Sequence, residues 1–203
     1  AHFPGRQKAM LQRAGAFGPA GFCHPQWWIN RVRSAYPKQW MDVLNANNSH
    51  PPLTLRVNRL RTTPTEYMAR LQAAALEAEL LEQGAIRILK PVPVDKLPGF
   101  REGLVSVQDA GAQYAAALLD LAPGQRVLDA CAAPGGKAAH ILETAAVDLV
   151  ALDKDAQRLK QVAENFQRLQ LKGRLLAGDA AAPDAWWAGK PFERILTDVP
   201  CPA

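Results

Sequence analysis

This sequence predicts an α/β protein built on a parallel sheet, preceded by a smaller α/β domain. Three observations carry the prediction. From Arg126 onward, short apolar runs alternate with helical segments. Four aspartates (Asp129, Asp153, Asp179 and Asp198) recur at or just beyond the ends of those runs. Between the first run and the helix after it lies Ala130-Cys131-Ala132-Ala133-Pro134-Gly135-Gly136-Lys137, a tight turn of small residues. Strand–helix alternation with short turns implies parallel strands joined by right-handed crossovers. In such sheets ligands sit at the carboxyl ends of the strands. Small residues let the backbone approach the ligand, and helix-opening N–H groups can meet an anion. The turn does not match G-x-G-x-x-G, and nothing matches G-x-x-x-x-G-K-[ST]. The residues alone therefore point to a nucleoside-containing cofactor without choosing one.

Bulk properties narrow the class. A chain of 203 residues with 48% hydrophobic and 21% charged content is an ordinary globular protein with room for one or two domains. No apolar run approaches the roughly 18 residues of a membrane span, and no secretory pattern is visible. Three cysteines (Cys23, Cys131, Cys201) form a sparse, odd set that suits a reducing cytoplasm. Charge is uneven. Residues 1–61 carry nine Lys/Arg against one acid, Asp42, whereas residues 104–203 carry ten basic and twelve acidic side chains. A basic front with interleaved Trp27, Trp28, Tyr36 and Trp40 can meet phosphates and stack bases. The same rings can also be core anchors of a helical segment.

Taken in order, residues 1–21 are rich in Gly, Ala and Pro and read as linker. A helical pattern runs from His24 to Asn48, interrupted at Pro37, and a breaker cluster follows from Asn45 to Pro52. Leu53–Asn58 alternates, so it is a strand with Leu53, Leu55 and Val57 on one face and Arg56 and Asn58 on the other. That second face suits a ligand or water. Thr63-Pro64-Thr65-Glu66 combines a cap, a first-position proline and a capping-box glutamate. The helix it starts extends towards Gly84. Ile86–Leu89 is a short strand, the proline-rich stretch to Gly99 a connector, and Val105–Val107 strand-like. Asp109 caps a helix through Leu119. Strands follow at Arg126–Ala130, Leu149–Asp153, Arg174–Ala177 and Arg194–Asp198, with the clearest helix over Asp155–Leu169.

The aspartates have a chemical reading. Asp153 lies 24 residues after Asp129, near the ~20-residue offset of an acid that holds a ribose. Asp179 is placed for an adenine amino group, and Asp198 for an ammonium group or a substrate base. One such residue alone is better explained as a cap or a solvated acid, but four in register indicate a cleft. Lys137 complements a ligand carboxylate or Asp129. His24 and His140 lack companions at metal spacing, so no metal is expected.

Asp129 to Lys137, together with Asp198-Val199-Pro200-Cys201, resembles the Nop/Sun family of RNA cytosine-5 methyltransferases. His24-Pro25, Trp27-Trp28, Asn45 to Pro52, Leu55-Arg56-Val57-Asn58-Arg59, Leu97-Pro98-Gly99-Phe100 and Ser106-Val107-Gln108-Asp109 are similar to its bacterial Sun/Fmu-type branch, which methylates a cytosine of small-subunit (16S) ribosomal RNA. The resemblance covers nearly everything from Phe22 to Cys201. It implies a Rossmann-like, class I fold dependent on S-adenosyl-L-methionine (SAM). By family pattern Cys131, Ala132, Ala133, Pro134, Gly135, Gly136 and Lys137 wrap the cofactor, Asp153 takes the ribose and Asp179 the adenine end. Asp198 lies beside the methionine portion and target base. Arg56, Asn58 and Arg59 are the expected RNA contacts, and ribosomal RNA is the expected partner of a cytoplasmic protein, monomeric when full length. The implied domains are 22–103 for RNA and 104–203 for SAM, with 1–21 a linker or the tail of a missing helical domain.

In the family a thiolate adds to carbon 6 of cytosine, which makes carbon 5 nucleophilic towards the methyl group, and a second cysteine assists release. Cys201 matches the release cysteine, and the motif of the attacking cysteine is not reached. Two residues depart from the pattern: Val199 replaces the usual alanine, and Pro202 the usual serine. The expectation is a C-terminally truncated sheet, inactive alone. The alternative is a non-catalytic RNA-binding module, and a protein or DNA methyltransferase is a weaker third.

Overall fold

A computed structural model describes residues 19–199. Residues 1–18 of the expected 1–21 linker, and the release cysteine, Cys201, lie outside the described residues; residues 19–21 are helical where a linker is expected. The chain divides into two compact units, 1–51 and 52–203. In the first, α1 (Pro19–Phe22), α2 (Gln26–Ala35) and α3 (Trp40–Asn48) enclose Phe22, Ile29, Val32 and Leu44, with Trp28 and Trp40 packed against them. The helical pattern breaks before Pro37, where Tyr36 leaves helical geometry as a pre-proline residue does. Trp28 and Trp40 are thus core anchors, whereas Trp27 stays 63% exposed.

The second unit opens with an antiparallel sheet: β1 (Leu53–Val57), β2 (Ala78–Leu80), β3 (Ile86–Ile88) and β4 (Val105–Val107), in the order β2-β3-β1-β4. Against it packs α4 (Pro64–Ala73), which starts in the capping box that Thr63 and Glu66 form. The core between them is Leu55, Val57, Tyr67, Leu71, Ile86, Ile88, Leu97 and Val105.

Two expectations are corrected here. The helix stops at Ala73 instead of running to Gly84, because Ala75 takes a left-handed conformation (φ 56°). Leu76 N–H then bonds to Leu71 O and Ala75 N–H to Gln72 O, and Leu76 drops into the core. This is a Schellman stop with alanine where glycine is usual, and it releases residues 78–80 to form β2. In addition, Val105–Val107 pairs with Val57–Leu55, so this segment belongs to the antiparallel sheet and not to the domain after it.

The parallel sheet consists of β5 (Arg126–Asp129), β6 (Asp148–Asp153), β7 (Arg174–Ala177) and β8 (Arg194–Leu196), ordered β7-β6-β5-β8. The order reverses beside β5, which opens a crevice at the carboxyl ends. Its helices are α5 (Ala110–Leu118), α6 (Gly136–Thr144) and α7 (Ala156–Leu169). Val127, Leu149 and Ala151 face Ile141, Val162 and Phe166, while Leu128, Val150 and Leu152 on the other face meet Leu176, Trp186 and Phe192. Burial on both faces explains why these strands read as apolar runs and not as alternation.

Two arginines join the sheets. Arg56 on β1 is 2% exposed. Its Nε and Nη2 donate to the two oxygens of Glu143 (3.0 and 2.9 Å), and Nη1 donates to Gln108 Oε1 and Gly136 O, both at 2.7 Å. Arg168 on α7 donates to Phe100 O, Val105 O and Ser106 Oγ. The second face of β1 is therefore a seam inside the chain. Asn58, 1% exposed, is consumed likewise: its Nδ2 donates to Gly103 O, and its Oδ1 accepts from Leu60 N–H. Arg56 and Asn58, expected at an RNA surface, are buried with their polar groups engaged. Of the three, Arg59 alone is exposed.

Candidate functional site

β5 ends in Asp129, which is buried, and the loop Ala130–Gly135 leads from it into α6. The turn requires glycine at position 135, where φ is 99° and a Cβ would lie 3.0 Å from Val162 Cγ1. A cis peptide joins Ala133 and Pro134. The loop is held from α7 by Arg158, which donates to Ala133 O (3.1 Å), and by Asn165, which donates to Pro134 O (2.9 Å).

Asp153, at the end of β6, is buried and accepts two backbone N–H groups, from Ala133 at 3.0 Å and Asp155 at 2.9 Å. It fixes the loop, and each carboxylate oxygen keeps acceptor capacity for a ligand hydroxyl. Asp155 caps α7 through Gln157 and Arg158 N–H. Beyond β7, Asp179 Oδ1 accepts Ala181 N–H, and its carbonyl accepts Trp186 Nε1–H. Beyond β8, Asp198 is paired with Lys137.

These pieces enclose a cleft of about 430 Å³, within the size range of small-molecule sites. Cys131, Ala133, Asp153, Asp179 and Asp198 line it, and Lys154 and Arg158 join them. Ala132 is buried beneath the loop. Pro134, Gly135 and Gly136 shape the turn without lining the cleft. Lys137 is engaged by Asp198, where the sequence suggested Asp129 or a ligand. Sequence reasoning missed Lys154 and Arg158. Their signal was position: they flank the Asp155 cap, where a side chain leans back over the preceding turn.

The cleft carries both signs of charge, with Asp153, Asp179 and Asp198 facing it beside Lys154 and Arg158. Asp129 is 1% exposed, and its Oδ2 is buried with no hydrogen-bond partner. Burial pushes its carboxyl up to about 6, against the opposing bond from Cys131 N–H. The Cys131 thiol is also pushed up, first by burial and then by Asp153, Asp129 and Asp198. It therefore stays a thiol, unsuited to nucleophilic attack. Carboxylates beside two cations fit a ligand that carries hydroxyls and charges of both signs. Among the described residues no three His, Cys, Asp or Glu side chains cluster as a metal site. No described helix is long and apolar enough to cross a membrane.

With this geometry in hand, comparison with known proteins gives a consistent result. Residues 24–95 match the RsmF/B-like methyltransferase ferredoxin-like domain, and residues 116–203 match the family described as 16S rRNA methyltransferase RsmB/F. The ribosomal RNA small subunit methyltransferase B of Serratia proteamaculans is 46% identical over 99% of this chain and 47% of its own length. The protein of the same name from Pseudomonas syringae pv. tomato is 50% identical over 89% of this chain and 41% of its own length. The chain thus spans about half the length of the curated relatives it matches. A methyltransferase homologue from Pyrococcus horikoshii shares the fold, with a TM-score of 0.76 at 23% identity over 96% of this chain and 63% of its own.

Proposed function

From the chain's membership of the RsmB/F methyltransferase family, we propose that its strand-end cleft binds SAM for methylation of carbon 5 of a cytosine in 16S ribosomal RNA. The observation that carries this reading is the cleft itself: three carboxylates at the carboxyl ends of β6, β7 and β8 converge on a small-residue loop. When bound, SAM supplies an electrophilic methyl group on a sulfonium.

The chain's own residues suit that ligand. Asp153, already orienting the loop through Ala133 N–H, offers its remaining lone pairs to the ribose hydroxyls. Asp179 marks the adenine end. Asp198, held by Lys137, faces the methionine portion and the target base. Cys131 forms the wall and stays protonated, so it is not the attacking thiol. We assign release of product to Cys201, and the attacking thiol to the part of the family's length that this chain does not span.

The test is a calorimetric titration of S-adenosylhomocysteine into this chain, into Asp153→Asn and into Asp153→Ala. Saturable binding to the wild type, weakened at least about tenfold in both variants, is the expected result, given the strength of hydrogen bonds to charged groups. A chain that is folded by circular dichroism yet binds nothing would overturn the cofactor reading and leave an RNA-binding module.

A further inference from the structure

We infer that a second, separate pocket, between Arg59 and His140, takes a phosphate group. It is a cavity of about 200 Å³ away from the cofactor cleft, lined by Arg56, Arg59, Gln113, His140, Glu143 and Thr144. Its walls come from the antiparallel sheet and from helices of the parallel one: β1 and the turn between β2 and β3 on one side, α5 and α6 on the other. The wall is anchored. Tyr114 Oη donates to Glu82 Oε2 (3.0 Å), and the residues at the turn, Gln83 and Gly84, take left-handed backbone geometry at φ 59° and 81°.

The donors in this pocket are unequally used. Arg56 and Glu143 satisfy one another, so the acid is neutralised in place. Gln113 Nε2 donates to Leu55 O and Gln108 O, and Thr144 Oγ1 donates to His140 O. Two groups remain. Arg59 is exposed and donates a single hydrogen bond, from Nη2 to Gln83 O, so most of its guanidinium fork is open. His140 Nδ1 is buried with no partner. That atom is closed off from the cavity, so Arg59 supplies the donors, and a tetrahedral oxyanion held by its open fork lies along the wall that the His140 ring helps to form.

The local field agrees. Burial, then Arg56 and Arg59, hold the His140 imidazole down to about 3, so the potential at the ring is positive even with Glu143 beside it. The net formal charge of the lining is positive, which is how a cleft concentrates anions. Phosphate suits the space and the fork geometry of an arginine. A backbone phosphate of bound RNA and free inorganic phosphate offer the same chemistry. The RNA source rests on the function proposed above, but the site's preference for a phosphate does not.

The test follows the His140 imidazole by nitrogen-15 NMR in the full chain, assigned with His140→Gln. Inorganic phosphate is titrated at constant ionic strength, and a short oligouridylate is titrated in parallel. The expected result is a saturable shift of the His140 resonances with inorganic phosphate, at least about tenfold weaker in Arg59→Gln. Oligouridylate that shifts the same resonances, and is displaced by phosphate, identifies an RNA backbone source. A response to inorganic phosphate alone identifies a free phosphate. The absence of a saturable shift, or an equal shift in Arg59→Gln, overturns the site. S-adenosylhomocysteine titrated into the same samples reports the cofactor cleft separately, so failure of one reading is distinguishable from failure of the other.

Discussion

Arg56 and Asp129 are both buried charged side chains on β-strands, and the fold treats them in opposite ways. Arg56, in the antiparallel sheet, has four hydrogen bonds and an ion partner inside the protein. Asp129, in the parallel sheet, has a single long bond of 3.4 Å from Cys131 N–H and one oxygen with none. Burying a charge without partners is costly, and Asp129 carries that cost at the end of β5. The antiparallel sheet uses buried polarity to join its neighbours. The parallel sheet leaves it underpaired next to the loop that shapes the cleft.

The largest effect is expected where satisfaction is complete. Arg56→Ala strands Glu143 in the seam and should cost about 3–5 kcal/mol, the range for breaking a buried pair. The urea midpoint checks this. The double replacement Arg56→Met with Glu143→Leu should recover most of the loss, because no charge is then stranded. A double variant no better than the single one would break the comparison on the Arg56 side.

Asp129 gives the next effect, with the opposite sign. Its carboxyl is raised from 3.8 to about 6, so the folded state binds the proton more readily than the unfolded chain. Its ionisation destabilises the fold at neutral pH, and that penalty disappears as pH falls from about 6 towards 4. Asp129→Asn keeps the acceptor for Cys131 N–H and removes the charge. It should stabilise the protein at pH 7 by roughly 1–3 kcal/mol, since each pKa unit is about 1.4 kcal/mol. It should also flatten the pH dependence of the denaturation midpoint in that window. An unchanged slope would mean that Asp129 is better solvated than its burial indicates.

A cap on the surface sets the small end of the scale. Thr63→Ala removes the side-chain acceptor for Glu66 N–H at the start of α4 and should cost about 1 kcal/mol in the same denaturation assay. If it matched Arg56→Ala, burial would not be what separates the two classes.

The sequence made some of this legible and left the rest hidden for identifiable reasons. Thr63-Pro64-Thr65-Glu66 states its own capping box, and the strand-end aspartates announce a crevice because their meaning is local. The role of Arg56 was not local. Alternation along Leu53–Val57 separates two faces but cannot show that the second is covered, since Gln108 and Glu143 lie 52 and 87 residues away. The Ala75 stop was hidden because alanine in an alanine-rich run favours continuing a helix, and only the Leu76 side chain entering the core turns it. In the cleft, Asp153 and Asp198 were visible as acids. That one braces the loop and the other is tethered by Lys137 depends on folding.

Helix α7 has a consequence of its own. Its fourteen residues make a rod about 21 Å long. At one end Arg158 grips the loop at Ala133, and at the other Arg168 grips the backbone at Phe100 and Val105 while lying over the Phe100 ring, 4.3 Å from its centre. One rigid helix thus ties the backbone beside the antiparallel sheet to the loop at the rim of the cleft, so the two are held at a fixed spacing by the length of a single element.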